Sequence, residues 1–206
     1  MSKRSKSSQR WLHEHMNDPY VKQAQQQGYR SRAAFKLKEI NAKYPLFKPG
    51  SRVVDLGAAP GGWSQVAREL VGAKGMILAV DILSMPEIVG VQFILGDMRE
   101  DVLINKLIDQ LGTNGADVVL SDMAPNFSGV EVVDQARVMT LAEIAMEVAL
   151  AVLSPTGTLL IKVFQGVGFD PLLQQLRTHF VKVRIIKPNA SRARSREVYL
   201  LSEGLK

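Results

Sequence analysis

The chain has 206 residues, of which 46% are hydrophobic, so it can bury one substantial core, and we expect a single domain spanning residues 1–206. It contains no cysteine, which excludes disulfides, thiolate zinc sites and cysteine nucleophiles, and its three scattered histidines predict no metal site. Because no apolar run approaches the roughly 20 residues that span a bilayer and the N-terminus lacks the apolar stretch of a secretory signal, we expect a cytoplasmic protein with no membrane partner.

The net charge of +6 is distributed unevenly along the chain. Residues 1–50 carry eleven Lys and Arg against three acidic residues, whereas the rest of the chain is weakly acidic. A second basic run, residues 182–196, contains six Lys and Arg and no acidic residue. Two basic clusters on a weakly acidic body predict a surface that binds a polyanion. For about residues 1–10, a disordered, solvated tail explains the charge equally well.

The predicted elements begin with an amphipathic helix, for which Ser31 is the expected N-cap. From residue 52 onward, short β-branched segments alternate with helical patterns, as is typical of a parallel sheet covered by helices on both faces. The predicted strands are Arg52–Leu56, Met76–Asp81, Gln92–Leu95, Asp117–Ser121, Thr158–Val163, Lys182–Ile186 and Glu197–Leu201. The predicted helices between them are Gly62–Leu70, Asp101–Leu111, Asp134–Leu153 and Pro171–His179.

The last two predicted strands are joined by a polar loop and not by a helix. Strands that are adjacent in sequence and lack a crossover helix pair antiparallel, so we expect the sheet to end in an antiparallel unit. Five parallel strands followed by such a pair resemble the Rossmann-like sheet of class I S-adenosylmethionine-dependent methyltransferases. The predicted fold is therefore α/β, with a mostly parallel seven-stranded sheet, an antiparallel last strand and helices on both faces.

A glycine-rich loop follows the first predicted strand and opens a helix, which is where an open α/β sheet binds its ligand. The loop reads Gly57-x-Ala59-x-x-Gly62 and so departs from the Gly-x-Gly-x-x-Gly fingerprint of nicotinamide-binding proteins. Asp81 ends the second strand, where a carboxylate accepts hydrogen bonds from ribose hydroxyls. Asp97 follows the third strand, where a carboxylate can accept from an adenine amino group. Together these groups predict a site for a nucleoside cofactor.

The fourth and fifth strands carry the candidate catalytic residues. Asp122 follows the fourth strand, and Asn126 stands where enzymes that methylate base amino groups usually place an aromatic residue. Lys162 interrupts the apolar run 159–164, where a charge is costly unless it has partners or a task. This pattern favours an acceptor other than a base nitrogen and makes Lys162 a candidate proton acceptor.

Five sequence segments occur together in a characteristic order. They are SRAAFKL at 31–37, VDLGAAPGGWSQ at 54–65, SDMAPN at 121–126, KVFQG at 162–166 and SRARSREVY at 191–199. On these segments the chain resembles the FtsJ/RrmJ (RlmE) family of bacterial enzymes, which methylate a ribose of 23S ribosomal RNA. The resemblance implies S-adenosylmethionine-dependent 2′-O-methylation of a uridine in 23S ribosomal RNA within the 50S subunit, by a monomeric enzyme.

The resemblance also implies roles for individual residues. The catalytic residues that it implies are Lys36, Asp122, Lys162 and Glu197. The cofactor-binding residues that it implies are Gly61, Trp63, Asp81, Asp97 and Asp122. The basic residues expected to bind RNA are Arg32, Arg192, Arg194 and Arg196. In this scheme Lys162 takes or shares the proton of the 2′-hydroxyl, although the sequence leaves open which lysine does so.

Three alternatives stay open on the sequence. A related 2′-O-methyltransferase of transfer RNA or of the messenger cap would use the same four catalytic residues. A non-catalytic RNA-binding assembly factor would retain the fold, but it would have no need for a lysine buried among aliphatic residues. An NAD-dependent oxidoreductase is disfavoured by Ala59 in the glycine loop.

Overall fold

The fold is built around a seven-stranded sheet, and the computed structural model describes residues 18–206. The predicted basic tail, about residues 1–10, lies outside the described residues. The strands are β1 (Arg52–Leu56), β2 (Met76–Asp81), β3 (Gln92–Leu95), β4 (Ala116–Ser121), β5 (Leu153–Phe164), β6 (Phe180–Ile186) and β7 (Glu197–Leu205). The α-helices of the described residues are α1 (Pro19–Gln26), α2 (Ala33–Lys43), α3 (Gly62–Val71), α4 (Asp101–Leu111), α5 (Glu131–Val152) and α6 (Phe169–His179). None of these helices is long and apolar enough to cross a membrane.

The strands lie in the order β3-β2-β1-β4-β5-β7-β6. The pairings among β1 to β5 are parallel, while β7 is antiparallel to both β5 and β6. The connections explain this arrangement, because α6 carries the chain back across the sheet before β6, whereas only a loop joins β6 to β7. The prediction of a mostly parallel sheet with an antiparallel last strand is confirmed, and β7 inserts between β5 and β6.

Helices cover both faces of the sheet, as predicted. Helices α4, α5 and α6 pack on one face, in a core cluster that includes Leu107 and Leu176. Helices α1, α2 and α3 pack on the other face, in a cluster that includes Leu37. In β5, Leu159 belongs to the first cluster and Leu160 to the second, because successive side chains of a strand point to opposite faces.

The start of the chain differs from the prediction in two ways. The N-cap of α2 is Arg32 and not Ser31, and the side chain of Arg32 makes no capping hydrogen bond to the helix. Ser31 Oγ packs against Gly62 of α3 instead, where it fills the space that a side chain at the glycine would need. Helix α1 is not among the predicted elements, although Asp18 caps it through its side chain and Pro19 occupies its first turn, which are usual signals of a helix start.

Helix α5 begins at Glu131, three residues before the predicted start at Asp134. The carboxylate of Asp134 accepts hydrogen bonds from the backbone N–H groups of Ser128 at 2.7 Å and Gly129 at 2.9 Å. Asp134 therefore acts from inside the helix to hold the preceding loop. The sequence predicted a helix start at Asp134 because aspartate is also a preferred N-cap residue.

Gly112 and Gly115 lie in the turn between α4 and β4 and have similar φ angles, +58° and +65°. They therefore form a matched pair for testing how closely this turn packs against the start of β5. A Cβ at Gly115 would lie 2.8 Å from Ser154 N and 2.9 Å from Val152 O, whereas nothing lies within 4 Å of a Cβ at Gly112. Gly112→Ala and Gly115→Ala should each lose about 1–3 kcal/mol of unfolding free energy to backbone strain. Gly115→Ala should lose a further ~1–3 kcal/mol, because backbone atoms cannot move aside as a side chain can. Urea unfolding measures both values, and equal losses would contradict the prediction.

Candidate active site

Acidic residues line the carboxyl edge of the parallel strands. Asp55 lies near the end of β1, Asp81 ends β2, Asp97 follows β3 and Asp122 follows β4. The parallel pairings bring the ends of these neighbouring strands to one edge of the sheet. Four carboxyl groups from separate segments therefore lie along the edge where open α/β sheets bind ligands. Such an edge suits a ligand that offers positive charge and hydroxyl donors.

The glycine loop between β1 and α3 passes close to its neighbours. Gly57 and Gly61 adopt positive φ angles of +71° and +110°, and a side chain at Gly57 would overlap that of Met123. Arg30 holds the loop from outside, because its guanidinium donates to Pro60 O at 3.2 Å. Gly61 is the N-cap of α3 and has no side chain to cap the helix. The first N–H groups of α3 can therefore bind an anionic group of a ligand.

Asp81 is buried and is held at both carboxylate oxygens. Its Oδ2 accepts from Ala59 N at 2.9 Å, and its Oδ1 accepts from Leu83 N at 2.8 Å. Each oxygen has a second lone pair, so the carboxylate can accept two further hydrogen bonds. The glycine loop thus orients Asp81 for a pair of neighbouring hydroxyls.

Asp97 pairs with Arg99, two residues further along the chain. Arg99 N donates to Asp97 Oδ1 at 3.0 Å, and Arg99 Nε lies 3.0 Å from each carboxylate oxygen. Hydrogen bonds from the Arg99 side chain and backbone lower the pKa of Asp97 to about 2, so the carboxylate stays ionised. A ligand amino group that reaches Asp97 has to share the carboxylate with Arg99.

Asp55 lies beneath the edge and is fully buried. Ser64 Oγ donates to Asp55 Oδ2 at 2.6 Å. Burial, followed by the nearby charges of Asp122 and Asp81, raises the pKa of Asp55 to about 7, while the hydrogen bond from Ser64 opposes the rise. Near neutral pH, Asp55 is therefore divided between its neutral and ionised forms.

The four predicted catalytic residues form two lysine–carboxylate pairs. Lys162 Nζ lies 3.1 Å from Asp122 Oδ1 and donates to the backbone carbonyl of Asp122 at 2.6 Å. Lys36 Nζ lies 2.6 Å from Glu197 Oε1. Only 7% of the Lys162 side chain is exposed, so these two contacts compensate for a charge that has lost its hydration.

Tyr199 joins the two pairs, and it is not among the predicted site residues. Its hydroxyl donates at 2.7 Å to Asp122 Oδ1, the oxygen that also contacts Lys162, and its ring centre lies 5.8 Å from Lys36 Nζ. Burial, with the charges of Asp122 and Glu197, raises the pKa of Tyr199 well above its ordinary value, so the phenol stays a neutral donor. A signal was present in the sequence, because Tyr199 and Glu197 are two residues apart in a predicted strand and so share a face.

Helix α2 and its N-cap residue hold the loop between β6 and β7 through hydrogen bonds, and these contacts orient Glu197. Arg32 donates to the carbonyl of Ala190, and Glu39 Oε2 accepts from Ala190 N at 3.2 Å. The next residue, Ser191, donates from Oγ to Glu197 Oε1 at 2.7 Å. The guanidinium of Arg32 donates to groups of the protein itself. A contact between Arg32 and RNA would have to compete with these hydrogen bonds, and it stays a prediction.

The other three arginines predicted to bind RNA, Arg192, Arg194 and Arg196, also lie on the loop between β6 and β7. Arg192 is partly exposed, with Nε 3.9 Å from Asp18 Oδ2. Arg196 is largely exposed and pairs with Glu131 Oε1 at 2.8 Å. The loop therefore carries a basic surface directly before the strand that supplies Glu197.

The ring of Trp63, a predicted cofactor-binding residue, is part of the core. It is buried against Tyr199, with 5.7 Å between ring centres, and its indole N–H donates to Ala33 O at 2.8 Å. A contact between Trp63 and a cofactor would therefore come from its backbone N–H in the first turn of α3.

A family of methyltransferases matches this chain over most of its length. The FtsJ-like methyltransferase model matches residues 29–205, a range that includes both lysine–carboxylate pairs. The chain belongs to the FtsJ-like methyltransferase family. The predicted family is thus confirmed, and the oxidoreductase alternative is excluded.

Relatives of this FtsJ-like methyltransferase are similar over their full length. The ribosomal RNA large subunit methyltransferase E of Marinobacter nauticus is 57% identical over 203 residues, which are 98% of this chain and 98% of the relative. The protein of the same name from Alcanivorax borkumensis is 56% identical over 205 residues, covering 100% of this chain and 99% of the relative.

Solved structures share the fold of the FtsJ-like chain. A ribosomal RNA methyltransferase of Plasmodium falciparum matches with a TM-score of 0.76 at 29% identity, covering 86% of this chain and 98% of that one. Aeropyrum pernix fibrillarin, crystallised with bound S-adenosyl-L-methionine, matches with a TM-score of 0.59 at 18% identity, covering 84% of this chain and 75% of that one. The predicted class I methyltransferase fold is confirmed.

The raised pKa of Asp55 predicts how stability depends on pH. The folded enzyme keeps a proton on Asp55 up to about pH 7, whereas the unfolded chain releases it near pH 4, so the free energy of unfolding falls as pH rises through this window. Asp55→Asn removes the titration, and its loss of stability between about pH 5 and pH 7 should be smaller than that of the wild type by about 2 kcal/mol. Guanidinium unfolding at both pH values measures the difference.

The control for this experiment is Asp109→Asn on the exposed side of α4, which should keep the pH dependence of the wild type. If Asp55→Asn and Asp109→Asn show the same pH dependence, the buried carboxyl does not titrate in this window.

Proposed function

We propose that this enzyme transfers the methyl group of S-adenosylmethionine to a ribose 2′-hydroxyl of 23S ribosomal RNA in the large subunit. The observation that carries the proposal is the pair of lysine–carboxylate contacts, Lys162 with Asp122 and Lys36 with Glu197, beside the glycine loop. The names of the relatives, which are large-subunit ribosomal RNA methyltransferases, support the substrate class. By the resemblance described above, the acceptor is a uridine.

The carboxyl edge fits S-adenosylmethionine. This cofactor supplies a methyl group activated by a positively charged sulfur, and it also carries an ammonium group, a carboxylate, ribose hydroxyls and an adenine amino group. The buried carboxylate of Asp81 suits the ribose hydroxyls, and Asp97 suits the adenine amino group. The backbone N–H of Trp63, in the first turn of α3, suits the carboxylate, whereas the N–H of Gly61 already donates to Ala58 O at 2.7 Å. Asp122 would add negative charge near the cationic sulfur.

The two lysines divide the work on the acceptor. Lys162, whose ammonium group must first lose a proton, would accept the proton of the 2′-hydroxyl when S-adenosylmethionine supplies its methyl group to the ribose oxygen, and S-adenosylhomocysteine would leave. Asp122 orients the amine through its carbonyl and its carboxylate. Lys36, held by Glu197, positions the ribose. Catalysis consists mainly of holding oxygen, carbon and sulfur in line.

The basic loop supports binding of the ribosomal RNA backbone. Arg192, Arg194 and Arg196 precede β7, so phosphates held by them lie next to the catalytic pairs. All four catalytic residues come from one chain, which agrees with a single-domain enzyme that acts as a monomer. We expect such an enzyme to work in the cytoplasm, where bacterial ribosomes are found.

Replacement of Lys162 tests its role as proton acceptor. Lys162→Ala should lower the rate of methyl transfer by about 10²- to 10⁴-fold, because general-base catalysis contributes on that scale. Lys162→Arg should be impaired to a similar degree, since arginine keeps the charge but does not give up its proton. Both variants should bind S-adenosylmethionine nearly as tightly as the wild type, as measured by calorimetry. Rapid turnover by a folded Lys162→Arg enzyme would place the proton acceptor elsewhere.

The product of the reaction tests the ribose assignment. Alkali cleaves RNA through the 2′-hydroxyl, so methylation of that oxygen should protect one internucleotide bond, on the 3′ side of the modified nucleotide. RNA from large subunits treated with enzyme and S-adenosylmethionine should therefore show a single gap in its alkaline ladder. A complete ladder from RNA that has taken up labelled methyl groups would mean that a base is modified.

A further inference from the structure

Two phenylalanines form an aromatic surface beside the catalytic pairs. Phe127 lies in the loop after β4, and 58% of it is exposed although it is a large apolar residue. Its ring contacts the half-buried ring of Phe164 at the end of β5, edge to face, with 5.9 Å between ring centres. We call this pair the aromatic shelf. The ring of Phe127 has an exposed face that a ligand can contact.

The strand register places the aromatic shelf next to the catalytic residues. In β5, Phe164 is two residues beyond Lys162, so their side chains lie on one face about 7 Å apart. In the antiparallel pairing, Phe164 stands opposite Glu197 and Lys162 stands opposite Tyr199. Residues opposite each other share a face, with Cβ atoms about 5 Å apart. Phe164 is therefore a direct neighbour of Glu197. Both lie closer to the carboxyl end of β5 than Lys162 does.

The loops that carry the shelf are held in place by α5. Gln135 Nε2 donates to the carbonyl of Phe164 at 3.2 Å and to that of Val167 at 3.0 Å. On the other side, Asp134 accepts from the backbone of Ser128, next to Phe127. Both rings are therefore presented by anchored backbone, and a ligand that stacks on them does not have to order these loops first.

Positive charges flank the aromatic shelf. Arg137 donates to the carbonyl of Asn126 at 3.2 Å, directly before Phe127. The carbonyl of Arg196 accepts from Gln165 N at 3.0 Å, directly after Phe164, and its side chain is largely exposed. Arg196 also pairs with Glu131, so a phosphate would compete with that carboxylate. An exposed aromatic ring with cations beside it matches a nucleobase with phosphates on either side.

We infer that the aromatic shelf binds the base of the nucleotide whose ribose is methylated. The inference rests on the proposed function, because it takes the position of the 2′-hydroxyl from Lys162. The 2′-oxygen and the base are attached to neighbouring ribose carbons, so a base extends a few ångströms from a hydroxyl held at Lys162. Phe164, two residues beyond Lys162 in β5, is the part of the shelf nearest to such a base. Its occupant is a single unpaired base, since a base paired within a duplex exposes no face to a ring.

Variants of Phe127 test this inference, because the residue is exposed and its replacement leaves the core intact. Phe127→Ala should weaken binding of a target RNA fragment by about ten-fold, in line with the loss of base stacking. Phe127→Tyr should restore most of the affinity, whereas Phe127→Leu, which keeps apolar area but has no ring, should not. The control is Val181→Ala, which removes an exposed apolar side chain from β6 and should have no effect. Binding is measured with S-adenosylhomocysteine present, so the result does not depend on turnover.

A second substrate identifies the occupant. An RNA fragment with an abasic ribose at the methylated position should bind the wild type about ten-fold more weakly than the normal fragment does. The Phe127→Ala variant should bind the abasic fragment and the normal fragment equally well. The reason is that removal of the ring and removal of the base abolish the same contact. Losses that add in the combined experiment would show that Phe127 contacts another base or a protein, and they would overturn the inference. So would unchanged binding by Phe127→Ala.

The proposed function fails by a different result. If the wild type transfers no methyl group to the ribose of the normal fragment or of the large subunit, the ribose methylation is wrong, whatever the binding data for Phe127 show. If methyl transfer occurs and Phe127→Ala binds RNA like the wild type, the function stands and the aromatic shelf does not hold the base.

Discussion

Lys162 stands in an apolar interior strand of the sheet, where its ammonium group is almost completely shielded from water. Its charge is tolerated because the chain supplies two oxygens of Asp122, one from the backbone and one from the carboxylate. The carboxylate oxygen is in turn shared with the hydroxyl of the fully buried Tyr199. A buried lysine thus imposes a network, since each polar group brought in to satisfy it has to be satisfied as well. The rest of the site is arranged around this network.

The insertion of β7 between β5 and β6 is what completes the network. It brings Tyr199 opposite Lys162 and Glu197 to the outer end of β5. Glu197 then needs a cation, which Lys36 provides from α2, and a donor, which Ser191 provides from the loop before the strand. One helix and one loop therefore hold each other through the same carboxylate that the catalytic scheme uses. In the proposed mechanism, catalysis and the packing of α2 on the sheet therefore depend on the same contacts.

The acidic residues at the carboxyl edge of the sheet differ in their hydrogen-bond partners and in their pKa values. Asp81 is held by two backbone N–H groups and can accept further hydrogen bonds, whereas Asp97 is already engaged by an arginine with which a ligand has to share it. Burial raises the pKa of Asp55 to about 7, and the nearby charges of Asp122 and Asp81 add to the rise, which the hydrogen bond from Ser64 opposes. An edge with this concentration of negative charge favours a cationic ligand.

The sequence by itself predicted the existence and order along the chain of all seven strands, although β5 begins five residues before its predicted start. It also predicted the glycine loop, the acids at the strand ends and the lysine in an apolar run. These features follow from local patterns, because hydrophobic period, turn residues and a charge among aliphatic residues can be read within about ten positions of each other. The resemblance added Lys36 and Glu197, which local patterns would have assigned to the surface. Only the tertiary structure decided that β7 enters between β5 and β6, that Tyr199 joins the two pairs, that the ring of Trp63 belongs to the core and that Phe127 lies beside Phe164. The physical reason is that strand order and register are set by contacts between residues far apart in the chain, and no local pattern encodes which distant partner a side chain meets.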